Sequence, residues 1–298
     1  YLLNRKEPHA YRELIDHLNN VKGVDGWFTK IYGGIDDSGL STQPDGLKKL
    51  WQVHNTQKLD GIRTEIDFLN LDETTKAVAL SSLILALDKV DSTMGHFVSY
   101  LRDWSPRSYG QLKLEIPMLW KNEIDHSVTR EDVLNETYLR NTYADLAYFD
   151  PPYGSNNEKM PPSRVRYQSY YHVWTTVVKN DMPEVFGAAA RRLDSSDTIA
   201  SSVFEEFRRN DKTGRFIAVD ALDRLLAQTQ ARYIMLSYSS DGRATASEVD
   251  EVLRANGKLL STAIIDYKRN VMAGMVWTNQ WLREVQSKNQ EFIFLLEK

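Results

Sequence analysis

The strongest constraint on the fold is a pair of prolines, Pro151 and Pro152, that follows the apolar run LAYF after one acid, Asp150. Because proline lacks a backbone N–H and cannot continue a sheet ladder, a strand over this run has to end at Asp150. Further short apolar runs occur in ARYIMLSYSSDG, LLSTAIIDYK and EFIFLLEK, with helical stretches between such runs. One of these stretches, ASEVDEVLRANGK, predicts a helix that ends before Gly257. The alternation predicts an α/β fold for the second part of the chain.

The first part of the chain has the pattern of a mostly helical region. Four apolar residues of KLDGIRTEIDFLN share one helical face: Leu59, Ile62, Ile66 and Leu69. The next stretch, Ala77–Leu87, is apolar on nearly all sides and predicts a central helix, preceded by Asn70 and Glu73 at capping-box spacing. We therefore expect a helical region over residues 1–120 and an α/β region over residues 121–298.

Composition excludes several classes of protein. With 298 residues, 42% hydrophobic, 26% charged and a net charge of −4, the chain has the composition of a globular protein. The absence of cysteine excludes disulfides, zinc ribbons and thiolate catalysis. The longest apolar-rich run has 11 residues, well short of the roughly 20 that span a bilayer. Because the opening YLLNRKEPHA lacks the apolar stretch of a signal peptide, the cytoplasm is the default expectation.

The residues after the apolar run suit one chemical task. Ligands bind at the carboxyl ends of parallel strands, where this sequence places Asp150, the Pro151 carbonyl and the ring of Tyr153. A planar amino group needs two acceptors, and a flat base needs a face to stack on. The string therefore predicts a clamp for an amino-bearing heterocycle. The alternative is an acid that caps a turn, with proline and tyrosine as ordinary packing residues.

The string DPPY, together with segments such as GWFTKIY, YYHVWTTVV, PEVFGAAARRLD and IMLSYSSDG, resembles a known family over about residues 10–298. The family is that of the adenine-specific DNA methyltransferases of the Dam-like class, which use S-adenosylmethionine. The resemblance implies a Rossmann-like methyltransferase sheet with a largely helical target-recognition region. It also implies double-stranded DNA as the partner, with no role for a membrane.

The resemblance implies a direct transfer without a covalent intermediate. The target adenine is flipped out and stacked on Tyr153, Asp150 and Pro151 hold its amino group, and Pro152 completes the catalytic motif. Asp150 also belongs to the implied cofactor site. So does Asp132, which follows an expected strand in VTREDVL and resembles the acid that contacts the adenine of the cofactor. The alternative for Asp132 is an acid favoured by a helix N-terminus.

Seven residues are candidates for DNA contact: Arg107, Arg164, Arg166, Tyr171, His172, Lys268 and Arg269. From Lys159 to Arg215 the chain has ten Lys or Arg against seven Asp or Glu, which suits phosphate contact in an otherwise acidic protein. Tyr171 and His172 resemble the family's aromatic cluster near the flipped base, and core packing is their alternative. Solvated surface is the alternative for the arginines. We expect no metal site, because His172 has no second ligand at metal-binding spacing.

One family feature is missing from these residues. Members carry a strand and a Phe-x-Gly-x-Gly turn that wraps the methionine part of the cofactor, and no such string occurs here. We expect a second polypeptide or a separated segment to supply it. The alternative is a non-catalytic DNA-binding or specificity subunit. Methylation of a protein amide is disfavoured, because the related enzymes carry Asn at the position of Asp150.

Overall fold

The computed structural model describes residues 8–35, 39–98, 101–119, 124–154, 167–196, 202–206, 208–240, 242–266 and 290–298. The chain divides into two compact units, each with a hydrophobic core. We call Tyr1–Val128 with Ser169–Ser196 the helical unit, and Thr129–Gln168 with Asp197–Lys298 the sheet unit. The boundary at residue 120 stays a prediction; in this division the helical unit runs to Val128 and continues with Ser169–Ser196 after the motif.

The helices are α1 (Arg12–Asn20), α2 (Trp27–Tyr32), α3 (Val53–Phe68), α4 (Glu73–Lys89), α5 (Glu136–Asn141), α6 (Tyr167–Tyr170), α7 (His172–Lys179), α8 (Ile217–Gln228) and α9 (Ala246–Asn256). The strands are β1 (Gly33–Gly34), β2 (Trp51–Gln52), β3 (Tyr143–Phe149), β4 (Val185–Phe186), β5 (Arg191–Arg192), β6 (Gln230–Ser239), β7 (Lys258–Asp266) and β8 (Gln290–Glu297). Among the described residues, no helix combines the length and apolar character that a bilayer crossing requires.

Helices α3 and α4 form the centre of the helical unit. Leu59, Ile62 and Ile66 of α3 are fully buried, as their spacing predicts. Seven residues of α4 are buried, which confirms that this helix is central. The predicted cap is wrong: Asp72 is the N-cap and accepts a hydrogen bond from the backbone N–H of Thr75 at 3.0 Å. Asn70 instead has a φ of 44°, outside the helix.

The segment that returns to the helical unit is anchored by a buried arginine on α3. Arg63 donates to the carbonyl oxygens of Val177 and Val178 at 2.6 and 3.1 Å, at the end of α7. Its guanidinium also pairs with Asp67 at 3.0 Å. Burial acts to raise the pKa of Asp67, but hydrogen bonds from Lys76, Asn180 and Arg63 lower it to about 2. The charge of Arg63 is thus compensated where it is buried.

A second buried side chain of α3 caps another helix. The carboxylate of Asp60 accepts hydrogen bonds from the backbone N–H groups of Gly26, Phe28 and Thr29 at 3.1, 3.0 and 2.8 Å. It also accepts one from the Thr29 hydroxyl at 2.6 Å. These N–H groups belong to the start of α2, where no intrahelical acceptor exists. Asp60 therefore fixes α2 on α3 across more than thirty residues of chain.

Replacing Asp60 by alanine should destabilise the helical unit. The variant leaves buried donors of α2 without an acceptor, and we expect a loss of about 3 kcal/mol in the free energy of unfolding. Asp60→Asn, whose amide oxygen still accepts, should lose about half as much. Urea denaturation followed by tryptophan fluorescence measures both. A D60A variant within about 0.5 kcal/mol of the wild type would contradict this role.

The sheet unit contains a four-stranded sheet in the order β3-β6-β8-β7. Strand β3 pairs with β6 in parallel, whereas β8 pairs antiparallel with both β6 and β7. Strands β3, β6 and β7 therefore run in one direction, and β8 runs against them. The four apolar runs predicted as strands are these four strands. The α/β prediction is confirmed at this level, with a mixed sheet in place of an entirely parallel one.

Helices α8 and α9 build the core of the sheet unit. Their apolar residues are buried together with alternate residues of β6, including Ile234 and Leu236. Helix α9 starts with a capping box in which the Thr245 hydroxyl and the Glu248 carboxylate exchange hydrogen bonds with each other's backbone N–H. It ends at Asn256, directly before Gly257, as the sequence predicts. By contrast, β3 lies at the edge of the sheet and exposes much of its surface.

Candidate active site

The candidate site lies at the carboxyl ends of two parallel strands. In the ladder between β3 and β6, Phe149 is opposite Leu236, so Asp150 and Ser237 follow as neighbours where β3 ends. Pro151 is buried beneath this end, whereas Asp150 is exposed. The prolines end the strand as the sequence predicts, since β3 stops at Phe149. The Asp150 carboxylate therefore lies beside β6 while remaining accessible from solvent.

The hydroxyl of Tyr153 is the centre of the site's hydrogen bonds. Its oxygen lies 2.5 Å from Asp150 Oδ1, 2.7 Å from Glu291 Oε1 and 3.2 Å from Ser237 Oγ. The Ser237 hydroxyl also donates to Glu291 Oε1. Burial raises the pKa of the Tyr153 hydroxyl well above its ordinary value, and the hydrogen bonds to Asp150 and Glu291 raise it further. The phenol therefore stays neutral and remains a donor.

The ring and backbone of Tyr153 are also held. The ring packs edge-on against buried Tyr238, with centroids 5.2 Å apart. The Tyr153 carbonyl accepts a hydrogen bond from the backbone N–H of Arg243 at 2.6 Å. Gly154 follows with a φ of 64°, a conformation that L side chains rarely adopt. The turn after the prolines is thus packed against the loop that follows β6.

Asp132 lies in a turn before α5. Its Oδ1 accepts a hydrogen bond from the backbone N–H of Leu134 at 2.9 Å, and its carbonyl accepts one from Asn135 at 2.8 Å. The carboxylate is exposed. The strand expected before Asp132 is wrong, because residues 125–132 form neither helix nor strand. Asn135, and not Asp132, is the N-cap of α5.

His172 and Tyr171 lie at the start of α7 in the helical unit. His172 is 0% exposed, between the rings of Phe97 and Tyr32, and its burial lowers its pKa to about 4. A fully buried, neutral imidazole offers no surface to a phosphate or base, so the predicted DNA contact of His172 is replaced by core packing. Tyr171 is partly exposed. Trp174 packs edge-on against Phe97 at 4.8 Å.

Arg107 is engaged with a buried acid. Its guanidinium pairs with Asp91 Oδ1, and its Nε donates to the Asp91 carbonyl at 3.0 Å. Burial raises the pKa of Asp91, and the nearby charge of Arg107 acts against this rise. About half of the arginine side chain remains exposed. The other predicted DNA contacts lie outside the described residues: Arg164, Arg166, Lys268 and Arg269.

Ser237, Tyr238 and Glu291 are site residues that the motif alone does not reveal. Ser237 carries a weak sequence signal, since it is a polar residue near the end of an apolar run. Glu291 carries none, because it stands at the start of its strand. It reaches the site only because β8 runs antiparallel beside β6 and pairs Glu291 with Ser239. Among the described residues, no group of three metal-ligating side chains occurs.

Replacing Gly154 by alanine should lower the free energy of unfolding more than the matched change Gly214→Ala. A Cβ at Gly154 would lie 3.3 Å from Glu205 Cα, whereas Gly214, with a similar φ of 71°, has no described heavy atom within 4 Å. Both variants suffer about 1 kcal/mol of backbone strain, and G154A should lose about 1 kcal/mol more from crowding. Urea denaturation compares the two. Equal losses would show that the turn tolerates the methyl group.

Comparison with known proteins places the chain in a family. A family model described as D12 class N6 adenine-specific DNA methyltransferase matches residues 10–210, about two thirds of the chain. The type II methyltransferase M.FokI of Planomicrobium okeanokoites is 26% identical over 211 residues, covering 69% of this chain and 29% of that protein. The modification methylase StsI of Streptococcus sanguinis is 26% identical over 262 residues, covering 86% and 35%.

A shorter relative matches as well. The type II methyltransferase M.NlaIII of Neisseria lactamica is 23% identical over 215 residues, covering 71% of this chain and 57% of that protein. The chain thus spans about a third of the length of M.FokI and StsI. No solved structure matches the chain significantly. The predicted resemblance to adenine-specific DNA methyltransferases is confirmed by the family model.

Proposed function

Because the chain belongs to the D12 class N6 adenine-specific DNA methyltransferase family, we propose that it methylates the exocyclic amino group of adenine in DNA. The methyl donor is S-adenosylmethionine. The observation that carries the proposal is the turn after β3, where Asp150 is exposed and the hydroxyl of Tyr153 is held by the Asp150 carboxylate. The names of the relatives, type II methyltransferases and modification methylases, support a restriction–modification context.

The residues of the turn have separate tasks. Within the described residues, the hydrogen bond of the Asp150 carboxylate to Tyr153 uses Oδ1, which leaves Oδ2 for an amino hydrogen of the target. The Pro151 carbonyl accepts the other hydrogen in this proposal. The ring of Tyr153 provides the stacking face for a base flipped out of the duplex. Two acceptors in the plane of the amino group direct its lone pair out of that plane, towards the methyl donor.

The acceptors of the sheet unit fit the cofactor. The carboxylates of Asp132 and Asp150 are exposed, and the cofactor carries an adenine amino group and an ammonium group that need acceptors. When bound, S-adenosylmethionine supplies an activated methyl group on a positively charged sulfur. Strands β3, β6 and β7 run in one direction and alternate with helices along the chain. This order supports the proposal of a Rossmann-like sheet. Asp132 binds the adenine of the cofactor in this proposal.

A further segment supplies the glycine-rich cofactor turn, either on a second polypeptide or on another part of a longer chain. Two observations support this part of the proposal. The string Phe-x-Gly-x-Gly is missing from these residues. Strand β3 is an edge strand of the described sheet and exposes Tyr143, Leu146 and Tyr148 by 75%, 47% and 56%. An edge of this kind is ready to pair with another strand.

DNA recognition is assigned mainly to residues 1–120. The hydrophobic core of the helical unit, which also includes Val173 and Val177, supports this region as part of a folded unit that can present side chains to a duplex. Tyr171, Arg107, Arg164, Arg166, Lys268 and Arg269 remain the proposed DNA contacts. Of these, Arg107 offers the exposed half of its side chain to a phosphate while Asp91 holds the other half. The core residue His172 is no longer among them.

Replacing Asp150 by alanine should abolish methyl transfer. Loss of the acceptor should lower kcat at least about 100-fold, with DNA affinity unchanged. The matched control is Asp145→Ala, which removes an exposed acid of the same strand before the turn. Labelled cofactor and adenine-containing duplexes measure the transfer, with and without the polypeptide encoded directly upstream. DNA binding without transfer by the wild type under both conditions would instead favour a specificity subunit.

Replacing Asp132 separates cofactor binding from turn formation. D132A should raise the KM for S-adenosylmethionine about tenfold with kcat unchanged, because a charged acceptor is lost. D132N keeps an oxygen for the backbone N–H of Leu134 but removes the charge, and it should show a similar rise in KM. Steady-state kinetics at varied cofactor concentration measure both. A normal KM in D132N would restrict Asp132 to the turn.

A further inference from the structure

We propose that Glu291, with Ser237, is a positioning residue that holds the hydroxyl of Tyr153 and thereby fixes the stacking ring and the Asp150 carboxylate. This inference rests on the proposed function of the turn after β3. Neither residue belongs to the DPPY string, and Glu291 lies beyond residues 10–210, which the family model matches. The pairing of β6 with β8, and not the motif, places both residues at the site.

The register of the sheet brings the two residues to the site. In the antiparallel ladder, Ser237 is opposite Ile293 and Ser239 is opposite Glu291. Residues two apart in a strand share a face, so Glu291 lies diagonally across from Ser237 on the same face. The Ser237 hydroxyl donates to Glu291 Oε1, and the Tyr153 oxygen lies 2.7 Å from that same oxygen. One carboxylate oxygen thus holds two hydroxyl groups.

The Tyr153 hydroxyl has a single hydrogen for two neighbouring carboxylates. Tyr153 has one phenolic hydrogen, and its oxygen lies between carboxylate oxygens of Asp150 and Glu291 at 2.5 and 2.7 Å. The hydroxyl can donate to only one of them at a time, so the two carboxylates compete for one hydrogen. Ser237 is 5% exposed and Tyr153 is half-buried, so water has little access to the contacts with Ser237 and Glu291, whereas Asp150 is exposed. The raised pKa of Tyr153 agrees with a neutral phenol between two acids.

Glu291 therefore acts on the reaction through Tyr153. If its carboxylate is removed, the hydroxyl keeps Asp150 and Ser237 as its partners among the described residues, and the ring can turn about the packing contact with Tyr238. The Asp150 carboxylate, which bonds the same hydroxyl, moves with it. Because these groups orient the target base and do not supply the affinity for the duplex, the effect falls on kcat and not on DNA binding.

A double-mutant cycle with Tyr153→Phe tests the inference. Glu291→Ala should lower kcat by about tenfold to 100-fold with DNA affinity unchanged. Y153F keeps the ring but removes the hydroxyl, so E291A should have no further effect in the Y153F background. E291Q, whose amide oxygen still accepts from both hydroxyls, should recover most of kcat. Glu297→Ala, which removes an acid at the other end of β8, is the matched control.

A second measurement needs no activity. With ¹³C-labelled tyrosine, the Tyr153 signal is assigned by its absence in Y153F, and its titration reports the groups that contact the hydroxyl: Asp150, Glu291 and Ser237. The pKa of Tyr153 should fall towards its ordinary value in E291A, because an acceptor and a negative charge are lost. An unchanged Tyr153 titration, or an equal loss of kcat from E291A in both backgrounds, would overturn the inference.

The two measurements separate this inference from the proposed function. If the wild type transfers methyl groups and D150A does not, the proposed function stands whatever Glu291 does. If the wild type transfers none, the proposed function fails, and with it the positioning role in methylation. The titration then still decides whether Glu291 holds the Tyr153 hydroxyl.

Discussion

The parallel pairing of β3 with β6 is the constraint on which the candidate site depends. It sets Phe149 opposite Leu236 and thereby places Asp150 beside Ser237. A slip of one residue would turn Ser237 to the other face of the sheet, because side chains alternate along a strand. The prolines add a second condition, since the chain has to leave the sheet directly after Asp150. Register and strand end together expose one carboxylate next to one buried hydroxyl.

Other parts of the sheet unit contact the turn that carries the motif and hold it in place. Antiparallel β8 brings Glu291 to the end of β6, β6 itself provides Tyr238, and the loop after β6 provides the backbone N–H of Arg243. The turn that carries the motif is therefore held by contacts to its ring, hydroxyl and backbone. Several independent contacts to one turn suit a site that has to orient a small amino group, because catalytic positioning tolerates little error. The helical unit uses the same principle in Asp60 and Arg63, whose buried charges fix one element on another.

Most of the secondary structure around the site could be predicted from local patterns. The four strands of the sheet correspond to four apolar runs, and α9 ends before Gly257 as its sequence indicates. Predictions failed where two local signals competed. Asn70 has the spacing of a cap, but Asp72 takes that role. The sequence predicts a strand before Asp132, but Asp132 lies in a turn and its carboxylate accepts a hydrogen bond from the backbone N–H of Leu134. His172 belongs to a family-like aromatic cluster, but tertiary packing buries it.

The sequence by itself determined where β3 stops, which acid and ring follow it, and which helical faces form the cores. These are local properties, because missing N–H groups and the period of apolar residues act within a few residues of chain. Only the tertiary structure decided that Glu291, 138 residues from Tyr153 along the chain, holds its hydroxyl. It also decided that β8 lies between β6 and β7. Sheet order and register depend on how distant strands pack, and a single apolar run contains no information about its future neighbours.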